Sequence, residues 1–177
     1  MSKKKTSTFY LTERLTIAAA GTPVTATIDL GAYVDVADRQ AIAIEEVDFI
    51  FQGTTAGSAL TSTFSTDATV WAQISDLNRG GTMQFADDRA LVASSALSLD
   101  QGNNQLTKAT DQFPDVFGAK DGVRLVVNDQ LYLTAEAAGT VVSNKTVNVT
   151  VRVKAHVASL TAKDWMAIAI QSTAADN

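Results

Sequence analysis

The residues of this chain that have the right types and spacing for chemistry are few and mostly acidic. A glycosidase needs two carboxyl groups about 5 to 10 Å apart across a cleft, and Glu46 with Asp48, on one face of a predicted strand, is the best-placed pair. Asp87 and Asp88 adjoin in a predicted turn, where acidic side chains usually hydrogen-bond the backbone. Segment 35–38 carries two aspartates but lacks the dense oxygen ligands of a calcium loop. We therefore predict no enzymatic activity, no metal and no cofactor.

Histidine and cysteine chemistry is equally sparse. The chain has one histidine, His156, and no cysteine, which excludes disulfides, cysteine-ligated metals and a multi-histidine zinc site. It also lacks the nucleophile elbow G-x-S-x-G, the phosphate loop G-x-x-x-x-G-K-[ST] and the dinucleotide motif G-x-G-x-x-G. We interpret His156 as a solvated strand residue, in preference to a lone acid–base catalyst.

A basic tip stands at the N-terminus of an otherwise acidic chain. Lys3, Lys4 and Lys5 belong to a chain whose formal net charge is −5 over all 177 residues. We interpret residues 1–8 as a short arm, either a solubilising tail or a contact with an anionic polymer or lipid. Each lysine contributes about 1 kcal/mol near an anionic surface, so such a contact matters only when many copies act together.

Targeting signals are not evident. No continuous apolar segment follows the lysines, as a signal peptide requires, and no run of about 18 apolar residues could span a membrane. Asn144 and Asn148 begin glycosylation triplets, which also arise by chance in threonine-rich chains. We expect synthesis in a cytoplasm and leave glycosylation open.

The elements that must position these residues are strands. From Val147 to Val157 the odd positions are apolar and the even ones polar, a period of two that is typical of a strand with one buried face. The same rhythm recurs over 9–17, 24–30, 70–74, 123–127 and 131–135. With 177 residues and 46% hydrophobic composition, we predict one domain over 9–171, followed by a tail over 172–177.

Connections are predicted from turn residues and phase changes. The turn at 20–23 predicts a hairpin between the strands that flank it, and the pair Asn128–Asp129 predicts a two-residue turn. The apolar phase of 40–52 flips at Glu45–Glu46, which predicts a β-bulge. Segments 53–67 and 102–122 are predicted to be loops.

For two segments the sequence does not decide between a helix and a strand. Residues 88–99 fit either, and we favour a strand. The phase of Met166, Ile168 and Ile170 favours a final strand, whereas Thr161 and Asp164 have the spacing of a helix cap, the weaker alternative. About eight or nine strands with uneven loops indicate an all-β fold, an antiparallel β-sandwich with an eight-stranded jelly roll rather than an immunoglobulin layout.

The short basic arm, the cysteine-free run of strands and the missing catalytic motifs together resemble single-jelly-roll viral capsid proteins, over Lys3 to Ile170. The resemblance implies a structural virion protein, a major capsid subunit made in the host cytoplasm. Many copies would assemble into a shell, alone or with other capsid proteins, around a genome or an internal membrane. Lys3, Lys4 and Lys5 would contact that content. Family members often carry a longer and more basic arm, which puts tight binding of naked nucleic acid in doubt.

Low surface charge fits such a subunit. Charged residues make up 19% of the chain, below the usual value of about 25%, and weakly charged surfaces are easier to bury against neighbours. The candidate subunit contacts are aromatic: Tyr10, Tyr33, Trp71 and Trp165.

The alternative function is a carbohydrate- or receptor-binding β-sandwich, such as a fibre, spike or decoration module. It would bind through the loops at 53–67 and 102–122, where Phe113 and Phe117 are the available aromatic side chains.

Overall fold

The computed structural model describes residues 3–113 and 123–173, which form two antiparallel sheets and a C-terminal helix. Sheet A contains β1, β2, β10, β4 and β8, and sheet B contains β3, β9, β5, β6 and β7. The strands are β1 (Lys3–Lys4), β2 (Phe9–Ile17), β3 (Val24–Asp29), β4 (Gln40–Gln52), β5 (Ala68–Ser75), β6 (Leu91–Asp100), β7 (Gln105–Phe113), β8 (Arg124–Val126), β9 (Gln130–Ala138) and β10 (Val147–Ser159). A short 3-10 helix spans Leu60–Ser62, and the helix α1 spans Ala162–Thr173.

The strand order is that of a jelly roll. Apart from the short β1 and the edge strand β7, the first strand pairs with the last, β2 with β10. The pairing continues inward with β3 to β9, β4 to β8 and β5 to β6. This nested pairing is a long hairpin of eight strands rolled into two sheets. The predicted all-β sandwich with an eight-stranded jelly roll is confirmed, with β1, β7 and α1 added to it.

The strand with the period of two lies at the centre of sheet A. β10 pairs with β2 on one side and with β4 on the other. Its inward side chains are fully buried: Val147, Val149, Val151, Val153 and Ala155. They meet the inward faces of sheet B in one continuous apolar core, which fixes the register because a one-residue slip would bury polar side chains instead.

The predicted hairpin across the turn at 20–23 is wrong. β2 lies in sheet A and β3 in sheet B, so the turn at 20–23 crosses from one sheet to the other. Asn128–Asp129 likewise joins β8 in sheet A to β9 in sheet B. Consecutive strands bury their apolar faces equally well side by side or from opposite sheets, so the turn residues alone do not decide which strands pair.

The bulge is confirmed, and it lies at Glu45. Lys154 of β10 pairs with Glu46, whereas the next residue, Ala155, pairs with Ile44. Glu45 is the extra residue, and the inward side of β4 changes phase across it.

The C-terminal segment is a helix, so the predicted final strand is wrong. The Thr161 side-chain oxygen accepts a hydrogen bond from the Asp164 N–H at 3.2 Å, the N-terminal cap that the sequence offered as the weaker alternative. Trp165, Ile168 and Ala169 pack together in a small second core with Ala41, Val127 and Leu160. Trp165, Ile168 and Ala169 are three and four residues apart, so they lie on one side of a helix. The period of two that predicted a strand covers only three side chains, which is too few to decide between the two structures.

The predicted loop at 102–122 is also wrong in part. β7 pairs with β6 over residues 105–113, and residues 114–122 lie outside the described part of the chain. β7 is an edge strand whose described side chains are mostly polar or exposed, so it lacks the apolar rhythm that marks a half-buried strand. The preferred strand at 88–99 is confirmed as β6, which begins at Leu91. The predicted loop at 53–67 contains the 3-10 turn and an isolated β-bridge between Phe64 and Val141.

Candidate functional site

The bulge gathers charged side chains at the outer side of sheet A. Glu45 Oε1 lies 2.8 Å from His156 Nδ1, and it accepts hydrogen bonds from Thr8 Oγ1 at 3.1 Å and Lys4 Nζ at 3.4 Å. Its second oxygen, Oε2, lies 3.8 Å from Lys154 Nζ. We call these five residues the Glu45 cluster. It joins β4, β10 and the N-terminal segment through one carboxylate.

The pKa of Glu45 lies below its usual value. Partial burial raises the pKa, but the hydrogen bonds from His156 and Thr8 and the charge of Lys4 outweigh that effect. His156 has only 12% of its side chain exposed, so its interpretation as a solvated strand residue is wrong. His156 is shielded from solvent because the N-terminal segment lies beside it. A hydrogen bond from the Val157 N–H to Thr6 Oγ1 at 3.0 Å holds that segment in place.

The three lysines of the N-terminal segment lie against sheet A. Lys3 and Lys4 form β1, opposite Ser159 and Ala158 of β10. The Lys5 N–H donates to the Val157 carbonyl at 2.8 Å. Among the described residues, two of the three ammonium groups have acidic neighbours: Lys4 reaches Glu45 at 3.4 Å, and Lys5 reaches Asp38 at 3.9 Å. Their predicted contact with a genome or membrane stays a prediction.

The two candidate tyrosines have different surroundings. Tyr10 is 54% exposed on the outer face of sheet A, and the Arg152 guanidinium lies 5.0 Å from its ring centroid, a cation–π contact. Tyr33 stacks on Phe9, with centroids 4.9 Å apart, at the edge of the main core. Tyr10 is therefore available to another molecule, whereas Tyr33 is partly used in packing.

The two candidate tryptophans also lie in different parts of the molecule. Trp165 belongs to α1 and packs against the second core. Trp71 points outward from sheet B, because its neighbours Val70 and Ala72 point into the core. The four aromatic residues therefore do not form one surface, and their role as subunit contacts stays a prediction.

Trp71 lies in a cavity of about 600 Å³ on the outer face of sheet B, which we call the sheet B cavity. The segment between β5 and β6 forms one wall. The lining residues are Trp71, Gln73, Met83, Gln84, Phe85, Ala86, Ser94 and Glu136. The sequence does not reveal this cavity, since Phe85 lies between two strands in a segment without apolar periodicity. Glu136 comes next to Trp71 only through strand pairing.

A buried ion pair was also not anticipated. Asp76 follows β5 with 4% of its side chain exposed, and its Oδ2 lies 3.1 Å from Arg124 Nη2 on β8. Burial raises the pKa of Asp76, and the charge and hydrogen bond of Arg124 only partly offset this. The same guanidinium donates to the Arg89 carbonyl at 2.7 Å. The pair therefore links the end of one sheet B strand to the edge strand of sheet A.

Large apolar side chains are exposed on several sides of the molecule. Among the described residues they are Tyr10, Val36, Ile50, Phe85, Leu106, Met166 and Ile170, exposed by between 37% and 86%. Tyr10 and Ile50 lie on the outer face of sheet A, Phe85 lies over sheet B, and Met166 lies on α1.

The acidic residues weighed for catalysis have structural neighbours. Glu46 lies 3.7 Å from Lys154, and Asp48 pairs in register with Arg152. Asp88 lies 3.0 Å from Arg79. The two aspartates of segment 35–38 lie in a turn, where the first accepts backbone hydrogen bonds at 2.8 and 3.3 Å.

Within residues 3–113 and 123–173, no three His, Cys, Asp or Glu side chains come together as metal ligands. No helix in these ranges is long and apolar enough to cross a bilayer. Of the aromatic residues predicted to bind ligands, Phe117 lies outside the described residues, as does the side chain of Phe113.

Comparison with known proteins gives similarity at the level of structure only. No protein-family model matches the chain, and no curated protein matches it. Among solved structures, Merkel cell polyomavirus VP1 in complex with 3'-sialyllactosamine is 9% identical, over 91% of this chain and 99% of that one, with a TM-score of 0.46.

Two further structures give the same picture. VP1 of trichodysplasia spinulosa-associated polyomavirus, in complex with GM1 oligosaccharide, is 11% identical over 85% of this chain and 94% of that one, with a TM-score of 0.40. The Desmodium yellow mottle tymovirus structure is 9% identical over 88% and 90%, with a TM-score of 0.37. The chain thus resembles viral jelly-roll proteins, but at such identities and TM-scores its function has to be argued from its own residues.

Proposed function

We propose that this chain is a structural virion protein, a major capsid subunit that assembles in many copies into a shell. The observation that carries the proposal is the exposure of large apolar side chains on opposite faces of the sandwich. Single exposed apolar residues are ordinary. A closed dimer, however, needs only one self-complementary patch, whereas a subunit with neighbours on several sides needs several different ones.

Two of these positions are the most informative. Ile50 is 37% exposed on β4, between the inward-facing residues Phe49 and Phe51. Met166 is 60% exposed on α1, whose other side packs on the second core. A helix that is apolar on more than one side is normally covered on more than one side, so a neighbouring subunit is the natural cover for Met166.

The N-terminal lysines fit an inner role within the same proposal. Lys3, Lys4 and Lys5 follow the edge of sheet A, and with about 1 kcal/mol for each lysine near an anionic surface, one copy holds such a surface weakly. A shell that presents the segment many times gains affinity through multivalency. In this proposal the three lysines face the interior of the shell, which holds a genome or an internal membrane. The shell is built from this chain alone or together with other capsid proteins.

Light scattering after size-exclusion chromatography tests the proposal. We expect a mass far above that of one 18.7 kDa chain. I50K and M166K should each shift the mass toward the single chain, because a buried charge at a contact is costly. The matched variants I50L and M166L keep an apolar side chain and should still assemble. A single-chain mass for the unmodified protein at high concentration would contradict the proposal.

A further inference from the structure

Among the residues that the structure describes, no neighbour neutralises the acidic group of the sheet B cavity. Glu136 of β9 is half-buried and is the one formally charged residue among the described residues that line the cavity. Within the described ranges, no side chain lies at hydrogen-bonding or ion-pairing distance from its carboxylate. A partly desolvated carboxylate strengthens its interaction with any cation that enters, because the effective dielectric constant there is lower than in water.

Aromatic and sulfur-containing side chains surround that carboxylate. Trp71 is the direct cross-strand partner of Glu136, so their Cβ atoms are about 5 Å apart. Phe85, which is 86% exposed, and Met83 extend the apolar wall. The face of an indole ring attracts cations through its quadrupole. A positive group between Trp71 and Glu136 therefore gains from both.

The wall formed by the segment between β5 and β6 is fixed before any ligand arrives. The Gln73 side chain is held from both ends: its Nε2 donates to the Gln84 carbonyl at 2.6 Å, and its Oε1 accepts from the Gln84 N–H at 2.7 Å. Gln73 is only 7% exposed, so these bonds are shielded from water. A preformed wall lowers the entropy that binding must overcome.

We propose that the sheet B cavity binds an organic cation, an alkylammonium or guanidinium group, between Trp71, Phe85 and the Glu136 carboxylate. This inference goes beyond the proposed shell function, since it concerns a ligand and not assembly. The same chemistry is supplied by a small free amine or by a lysine or arginine side chain of another protein. The carboxylate disfavours anionic ligands, and a neutral sugar would leave Glu136 without a counter-charge.

Equilibrium dialysis tests the proposal on the intact protein, assembled or not. The first probe pair is choline and its uncharged analogue 3,3-dimethyl-1-butanol. The second pair is a capped lysine and the corresponding capped norleucine. We expect each cation to bind about tenfold more tightly than its neutral partner. Preference for choline alone assigns the site to small amines, and preference for the capped lysine also admits a protein side chain.

Two carboxylate variants decide whether Glu136 is responsible. E136Q keeps the shape of the side chain and should reduce choline binding about fivefold. Choline should still bind more tightly than its neutral analogue, because the Trp71 ring continues to attract the cation. D87N removes an exposed carboxylate from the neighbouring segment, outside the cavity lining, and should change binding less than about twofold. Equal binding of both members of each pair, no binding of any probe, an unchanged E136Q or tighter binding of glucose than of choline would each overturn the proposal.

Discussion

The buried ion pair between Asp76 and Arg124 gives the sharpest prediction of stability. The Asp76 side chain is 4% exposed and that of Arg124 is 26% exposed, with a 3.1 Å contact between them. R124M removes the positive charge and retains much of the apolar stem. It leaves a buried carboxylate without its main partner, and breaking a buried pair in this way costs about 3 to 5 kcal/mol of unfolding free energy.

The double variant separates the pair interaction from packing. D76N/R124M has no buried charge at the site, so we expect it to recover most of the loss seen in R124M, giving a coupling energy of about 2 kcal/mol or more. The matched control is the exposed pair of Lys5 and Asp38, whose side chains are 42% and 65% exposed at 3.9 Å. K5Q should cost less than about 1 kcal/mol.

The sign of the pH dependence follows from the raised pKa of Asp76. The folded protein binds this proton more tightly than the unfolded chain does, so protonation favours folding as the pH falls through the folded pKa. Without Arg124 the pKa rises further, and the stability gap between R124M and the unmodified protein should narrow in acid. Urea unfolding at neutral and acidic pH measures this gap. A loss below about 1 kcal/mol for R124M, or a gap that widens in acid, would refute the reasoning.

Three further predictions concern the Glu45 carboxylate, Gly139 and the N-terminal cap of α1. E45Q should lower the unfolding free energy by about 1 kcal/mol at neutral pH. Since folding lowers the pKa of Glu45, its stabilising contribution is lost as the pH falls through the pKa of the folded state. Urea unfolding that still shows E45Q to be less stable than the unmodified protein below that pH would contradict this prediction. G139A should cost about 2 to 3 kcal/mol in the same assay, because its φ is +99° and a Cβ would lie 2.6 Å from the Asp67 carbonyl oxygen; G57A, which has open space around it, should change stability by less than about 0.5 kcal/mol. T161A should cost about 1 kcal/mol through loss of the α1 cap; an unchanged melting temperature would show that the cap is dispensable.

The strands could be predicted because burial on one face leaves a period of two in the sequence. β10 is the clearest case, since its valines are fully buried and its polar residues face outward. The bulge at Glu45 could be predicted for the same reason, because an extra residue reverses the phase. β7 could not be predicted in this way, since the described side chains of this edge strand, at 105–109, are mostly exposed and show no such period.

The pairing of the strands and the residues of the sheet B cavity could not be predicted from the sequence. The turn residues at 20–23 and at Asn128–Asp129 are equally compatible with a hairpin and with a crossing between sheets. Asp76 and Arg124 are 48 positions apart and become a pair only after the sandwich closes. Trp71 and Glu136 meet through the register of β5 with β9, which no local pattern encodes.

Negative-stain electron microscopy of the purified full-length chain tests the central claim most directly. The account predicts closed particles of uniform diameter built from many copies. A field that contains only separate 18.7 kDa molecules at the highest attainable concentration would contradict it.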